Sequence, residues 1–247
     1  MLRIPTKALL DFIKAVEPVG DVHVVSFDGG LSIQSLQSSN QIISRISMVC
    51  DTGGFKDEIG IPFPLLKKVL PKAEETVIEL KRDVLEIYGT GHKSTLRTIV
   101  KEQCCRQPKK PLIFSEEKFT VNGHAFFEKL SDVESVFGGK NKSLSFFLRG
   151  GRGEPYSLYI SDSDSVVGSM ETTLETTDII THTIDEVYPY DMILPVLNAI
   201  RHLNDNIDIH FMPMPSGDCN ALVLKGMSAN EANRIAYLYV LAPRMRV

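Results

Sequence analysis

No apolar run in this chain reaches the roughly 18 to 20 residues that a membrane helix needs. Its opening residues, MLRIPTKALLDF, also lack the apolar core and cleavage pattern of a signal peptide. An intracellular protein is expected. The four cysteines, Cys50, Cys104, Cys105 and Cys219, form neither a CxxC pair nor a disulfide framework, so reduced structural thiols are expected. The vicinal pair Cys104 and Cys105 leaves a metal ligand set or a strained disulfide as the alternative. The six histidines are scattered without HxxxH or HExxH, and no metal or cofactor is expected. Neither GxSxG, a P-loop nor GxGxxG stands at a strand-to-helix junction, which speaks against an enzyme. Asp162 and Asp164, in ISDSDSVV, read as turn residues that bond their own backbone. The formal charge of −4 lacks the basic excess of a simple nucleic-acid binder. Any basic surface must therefore be segregated on one face.

What is present is a plan stated twice. PTKALLDFIKAVEP places Leu9, Leu10, Ile13 and Val16 at helical spacing, with Pro5 in the first turn and Pro18 at the end. Strand-like runs DVHVVSF, GGLSIQSL and QIISRISMV follow, the first two joined through Asp28-Gly29-Gly30. A second helical pattern, PFPLLKKVLPKA, precedes the strands VIELKRD, VLEIYG and STLRTIVKE. The order then restarts. A helical pattern from Val121 to Phe137 carries Phe126, Phe127, Leu130 and Val133 on one face, and LSFFLRG, YSLYISD, VVGSMETTLE and IITHTI read as strands. The helix YDMILPVLNAIRHLN then precedes IDIHFMP, NALVLKG and IAYLYVLAP. A period near half the chain predicts a duplicated domain. The boundaries expected are 1–105 and 119–247, with a proline-bearing linker at 106–118.

The polar sides of the helical patterns carry bases. Lys7, Asp11 and Lys14 oppose the leucines of the first helix, and Lys67, Lys68 and Lys72 lie off a stripe of Leu65, Leu66, Val69 and Leu70. In the third, Glu128, Lys129 and Asp132 are mixed; in the fourth, Asn198, Arg201 and His202 lie off the stripe of Ile193, Val196, Leu197, Ile200 and Leu203. Such lysines ordinarily cover solvated faces. Converging, they would hold phosphates by counterion release without reading sequence.

The stretch GLSIQSLQSSNQIISRISM, Gly30 to Met48, closely resembles the signature segment of the proliferating cell nuclear antigen family of sliding clamps. DEIGIPFPLLKKVLPKA resembles that family's second lumen helix, PKKPLIF falls where its interdomain connecting loop belongs, and YLYVLAPRM resembles its closing strand. The resemblance covers essentially the whole chain. It implies an α+β DNA clamp fold: two duplicated domains, each with two lumen helices and antiparallel sheets on the outer face. The implied function is that of a DNA polymerase processivity factor, a ring that encircles duplex DNA and tethers replication and repair proteins. A heterotrimeric or checkpoint-type clamp subunit is the alternative within the family. Outside it stand an enzyme on a duplicated sheet scaffold and a nonspecific DNA-binding module.

By the same resemblance Lys7, Lys14, Lys67, Lys68, Lys72, Lys129 and Arg201 would face double-stranded DNA. Leu36, Gln41, Ile43, Leu112, Ile113, Pro215, Ala242 and Pro243 would form the pocket for partner peptides of polymerase, clamp loader and other proteins. Ring closure, as a homotrimer, would join an edge at Ser94, Leu96, Thr98 and Val100 to one at Met170, Thr172 and Leu174. Three departures stand out. Gln37 occupies a position where the family commonly has Asp, Asp132 and Pro195 fall near positions often basic, and the connector carries Lys109 and Lys110 where many relatives are acidic.

Overall fold

The computed structural model describes residues 1–39, 41–109, 112, 118–137, 143–151, 154–164, 168–175, 185–214 and 219–243. By packing, the chain divides into two units: Met1–Lys110 with Met227–Tyr237, and Pro111–Gly226 with Leu238–Val247. The break at Lys110–Pro111 falls inside the expected linker, whereas Met227–Tyr237, expected in the second domain, is counted with the first.

The first unit runs β1 (Leu2–Pro5), α1 (Thr6–Val16), β2 (Val22–Ser26), β3 (Leu31–Leu36), β4 (Ile42–Met48), β5 (Glu58–Pro62), α2 (Phe63–Val69), β6 (Glu75–Lys81), β7 (Val84–Gly89) and β8 (His92–Arg97). Its strands order as β5-β2-β3-β4 and β1-β6-β7-β8. The second half of the chain runs β9 (Phe119–Asn122), α3 (Gly123–Phe137), β10 (Ser143–Gly151), β11 (Glu154–Asp164), β12 (Gly168–Glu175), β13 (Asp185–Pro189), α4 (Tyr190–Ile200), β14 (Asn206–Pro213), β15 (Asn220–Met227) and β16 (Ile235–Leu241), with Met227 and the start of β16 up to Tyr237 counted with the first unit. Its strands order as β13-β10-β11-β12 and β9-β14-β15-β16. Element for element the two orders are the same. The duplication read from the sequence is thus a repeat of sheet topology as well. The expected strand at Ile179 to Ile184 lies outside the described residues.

Four short strands absent from the sequence reading, β1, β5, β9 and β13, each lead directly into a helix. Three of them end on a proline: Pro5, Pro62 and Pro189 stand at the helix boundary with φ of −54°, −81° and −63° and extended ψ of 126°, 95° and 127°. A proline suits this joint because its fixed φ serves both strand and helix, and its missing N–H costs no helical bond there. At the remaining joint Asn122 does the work with its side chain, Oδ1 accepting the Ala125 N–H at 2.9 Å.

α1 buries Ala8, Leu9, Phe12, Ile13, Ala15 and Val16, a wider stripe than the leucines alone, and leaves Lys7 and Lys14 exposed. α2 departs from its expectation. It stops at Val69, because Leu70 is extended (ψ 138°) ahead of Pro71, and Lys72 therefore lies beyond the helix. So short a helix buries only Phe63 and Leu66; Leu65, expected on the apolar stripe, is 50% exposed. Phe63 meets Phe12 with ring centroids 6.1 Å apart and His23 at 5.6 Å. In the second unit α4 buries Ile193, Val196, Leu197 and Ile200, with Pro195 on its exposed side, and the Tyr190 hydroxyl donates to the Leu130 carbonyl of α3 at 2.8 Å.

On the sheet of β6, β7 and β8, Glu86 accepts from Lys81 at 2.6 Å, Lys93 at 3.2 Å and the Tyr88 hydroxyl. These hydrogen bonds, that of Lys81 foremost, hold its carboxyl down at about 2, against an ordinary 4.5. A depressed carboxylate stabilises the fold above its unfolded value and loses that contribution as pH falls through the folded one. Acid titration of the unfolding midpoint should therefore show a loss between pH 4.5 and about 2 that flattens in Glu86→Gln. Equal slopes for the two proteins would contradict the assignment.

Candidate nucleic-acid interface

Lys7 and Lys14 stand on the solvent side of α1 and Lys67 and Lys68 on that of α2, away from the buried Phe12–Phe63 contact, with Lys72 following α2. Lys14 pairs with Asp11 at 3.7 Å, one helical turn away. Lys67 reaches Glu17, at the end of α1, with Nζ to Oε1 at 2.5 Å. Lys7, Lys68 and Lys72 are exposed. Exposed pairs of this kind contribute on the order of 0.2 to 1 kcal/mol and yield readily to another anion. The face can present cations to a phosphate backbone; its bases lack the aromatic platforms that read single strands.

The bases of the second unit are engaged differently. Lys129, half-buried, donates to the Thr172 hydroxyl of β12 at 3.1 Å. Arg201, at the end of α4, lies over the ring of Phe127 with its guanidinium carbon 3.9 Å from the centroid. A stacked guanidinium keeps its charge but is held in place. With Asp132 exposed on α3, this helix pair presents less free positive charge than the first. Sequence reasoning missed Glu17, and it read Thr172 as part of a sheet edge and Phe127 as part of an apolar helix face, not as partners of a base; Thr172 and Glu17 lie 43 and 50 residues from the lysines they hold.

A second surface forms where β3 turns into β4. Leu36 and Ile43 are direct cross-strand partners, both half-buried, with Gln41 exposed beside them. The crossing is internally braced: the Gln37 N–H donates to the Ile42 carbonyl at 2.9 Å, and its side-chain oxygen accepts the Ser39 hydroxyl at 2.8 Å. Gln37 thus supports the turn in place of Asp. The chain leaving β8 returns to the same point, where the Leu36 N–H donates to the Arg106 carbonyl at 2.7 Å. In the second unit Leu112, Ala242 and Pro243 are each half-buried. Ile113 and Pro215 lie outside the described residues.

Just before Arg106 the vicinal cysteines diverge. A Cβ at Gly20 would stand 2.8 Å from Cys105 Sγ, and one at Gly60 2.6 Å from Cys104 Sγ, so each sulfur occupies room that a glycine leaves. Burial raises the pKa of both thiols. Both are free thiols, each packed against a glycine, and among the described residues no group of three or more His, Cys, Asp and Glu side chains is placed to hold a metal ion.

Two sheet edges complete the geometry, since β8 ends one sheet of the first unit and β12 ends one of the second. Ser94 and Leu96 lie on β8, and Met170, Thr172 and Leu174 on β12. Thr98 and Val100, expected on the same edge as Ser94, lie past its end. The Thr98 N–H is drawn to the Asp83 carbonyl at 2.8 Å and the Ile99 N–H to that of Gly60 at 2.9 Å, which turns the chain away; Val100 is 59% exposed.

If this face meets phosphates, charge reversal should matter most where the cation is free. Lys68→Glu is expected to weaken duplex binding at low salt more than Lys67→Glu, whose lysine is already paired. Fluorescence anisotropy over a salt series would show it; an equal affinity for wild type and Lys68→Glu would remove the interface.

No protein-family model and no curated protein matches the sequence. Solved structures do. One, described as the C-terminal region of FEN-1 bound to A. fulgidus PCNA, is 12% identical with a TM-score of 0.76, covering 100% of both chains. Another, a PCNA2–PCNA3 complex from Sulfolobus tokodaii, is 18% identical with a TM-score of 0.72, covering 98% of each chain. The fold of this chain is that of the DNA sliding clamp, an α+β duplication of helices and antiparallel sheets.

Proposed function

We propose that this protein is a sliding clamp: a non-enzymatic ring subunit that encircles duplex DNA and serves as a processivity factor for DNA polymerase. The observation that carries the reading is the exposed basic face shared by α1 and α2 in a unit whose topology the second half repeats. A ring needs no base-specific contacts, because closure retains it while mobile phosphate contacts let it slide. The weaker charge of α3 and α4 is consistent with a hold shared unevenly between the units.

Partner proteins of replication and repair dock by a short peptide whose aliphatic and aromatic side chains meet the pair Leu36 and Ile43 beside Gln41 on the first unit. The ring closes head to tail between copies, β8 of one against β12 of the next, which satisfies two edges that would otherwise template aggregation. A homotrimer is the first reading. A mixed ring is the second, favoured by the likeness to the PCNA2–PCNA3 complex.

Light scattering over a range of protein concentrations is the deciding measurement. The homotrimer is expected to give a mass of three subunits, and a persistent monomer would replace it with the mixed ring. Ile43→Asp, which places a charge on the docking face, should abolish binding of a partner peptide in calorimetry while leaving the mass unchanged. Wild-type peptide affinity in that variant would overturn the docking assignment.

A further inference from the structure

Glu17 occupies an unfavourable place. It directly follows α1, where the helix dipole is negative and a carboxylate is disfavoured. It opens a 3-10 turn, Glu17–Val19, pinned by Pro18 and closed by the Gly20 N–H on the Glu17 carbonyl at 3.3 Å. The backbone is thus fixed, and α2 brings Lys67 to its side chain at 2.5 Å. Both residues are 41% exposed in their side chains, so the pair stands at the surface of the basic face and fills no part of the core.

We propose that Glu17 is an internal counterion of this face: it holds Lys67 in position and competes with DNA phosphate for it, which limits how tightly the first unit grips the duplex. The inference rests on the reading of that face as the DNA surface. A phosphate that approaches Lys67 must displace a carboxylate already in contact, so this lysine contributes less net affinity than Lys68 beside it. A clamp gains from such an arrangement, because a phosphate contact that is always contested is always brief, and brief contacts permit sliding.

The test is duplex binding by anisotropy over a salt series, for wild type, Glu17→Gln, Lys67→Gln and the double variant. Glu17→Gln keeps the shape of the side chain and removes its clash with the helix dipole, so its thermal midpoint should not fall. Its affinity should rise at low salt, and the slope of log affinity against log salt should steepen by about 0.9, the equivalent of one further phosphate neutralised. In the Lys67→Gln background the same substitution should shift the slope far less. An unchanged slope in Glu17→Gln, or an equal change with and without Lys67, overturns the counterion role while the clamp reading stands. Absence of duplex binding by wild type at every salt concentration overturns both.

Discussion

The contact between Phe12 and Phe63 governs the surface of the first unit as much as its interior. Both rings are fully buried, and truncating either would cost about 3 to 5 kcal/mol. Because α2 is so short, Phe63 and Leu66 are its only fully buried residues, and they fix its rotation against α1. That rotation decides that Lys67 falls beside Glu17, that Lys68 stays free and that Leu65 faces solvent. The electrostatics of the helix face are therefore a consequence of two aromatic rings beneath it.

Much of this was legible in the sequence because it is periodic. The stripes of α1 and α4, the three-strand runs and their repetition half a chain later all follow from spacing alone. What was not legible falls into two classes. The strands β1, β5, β9 and β13 have only four or five residues, too few for alternation to declare itself, and their prolines read equally well as helix starts. Yet the recurrence of a branched or aromatic residue followed by proline, Ile4-Pro5, Ile61-Pro62 and Tyr188-Pro189, was available as a signal of the joint. The second class is pairing across the chain. Nothing local links Lys67 to Glu17, Lys129 to Thr172 or Arg201 to Phe127, and these pairs decide which bases are free.

The two units show what a duplication conserves and what it releases. Topology is repeated strand for strand, and both units tie their helix pair together in the core, one through a tilted pair of aromatic rings and the other through a tyrosine hydroxyl on a helix carbonyl. The chemistry of the solvent-facing sides of the helix pairs has meanwhile diverged. Ion pairs that solvent or phosphate can break occupy the first, and a hydroxyl bond and a stacked guanidinium occupy the second. A fold held by buried contacts leaves its polar surface free to specialise.

The cysteine–glycine contacts at the end of the first unit extend this logic to sequence change. Each sulfur and its glycine share one small volume, so the two positions in a pair are coupled. A side chain at 60 would meet the Ile99 carbonyl as well as the Cys104 sulfur, and one at 20 would need a φ near 144° that L residues rarely adopt, so each glycine is held by the backbone as well as by its cysteine. Among homologues the two glycines would persist whatever stands at 104 and 105, and the cysteine positions would accept only side chains small enough to sit against them.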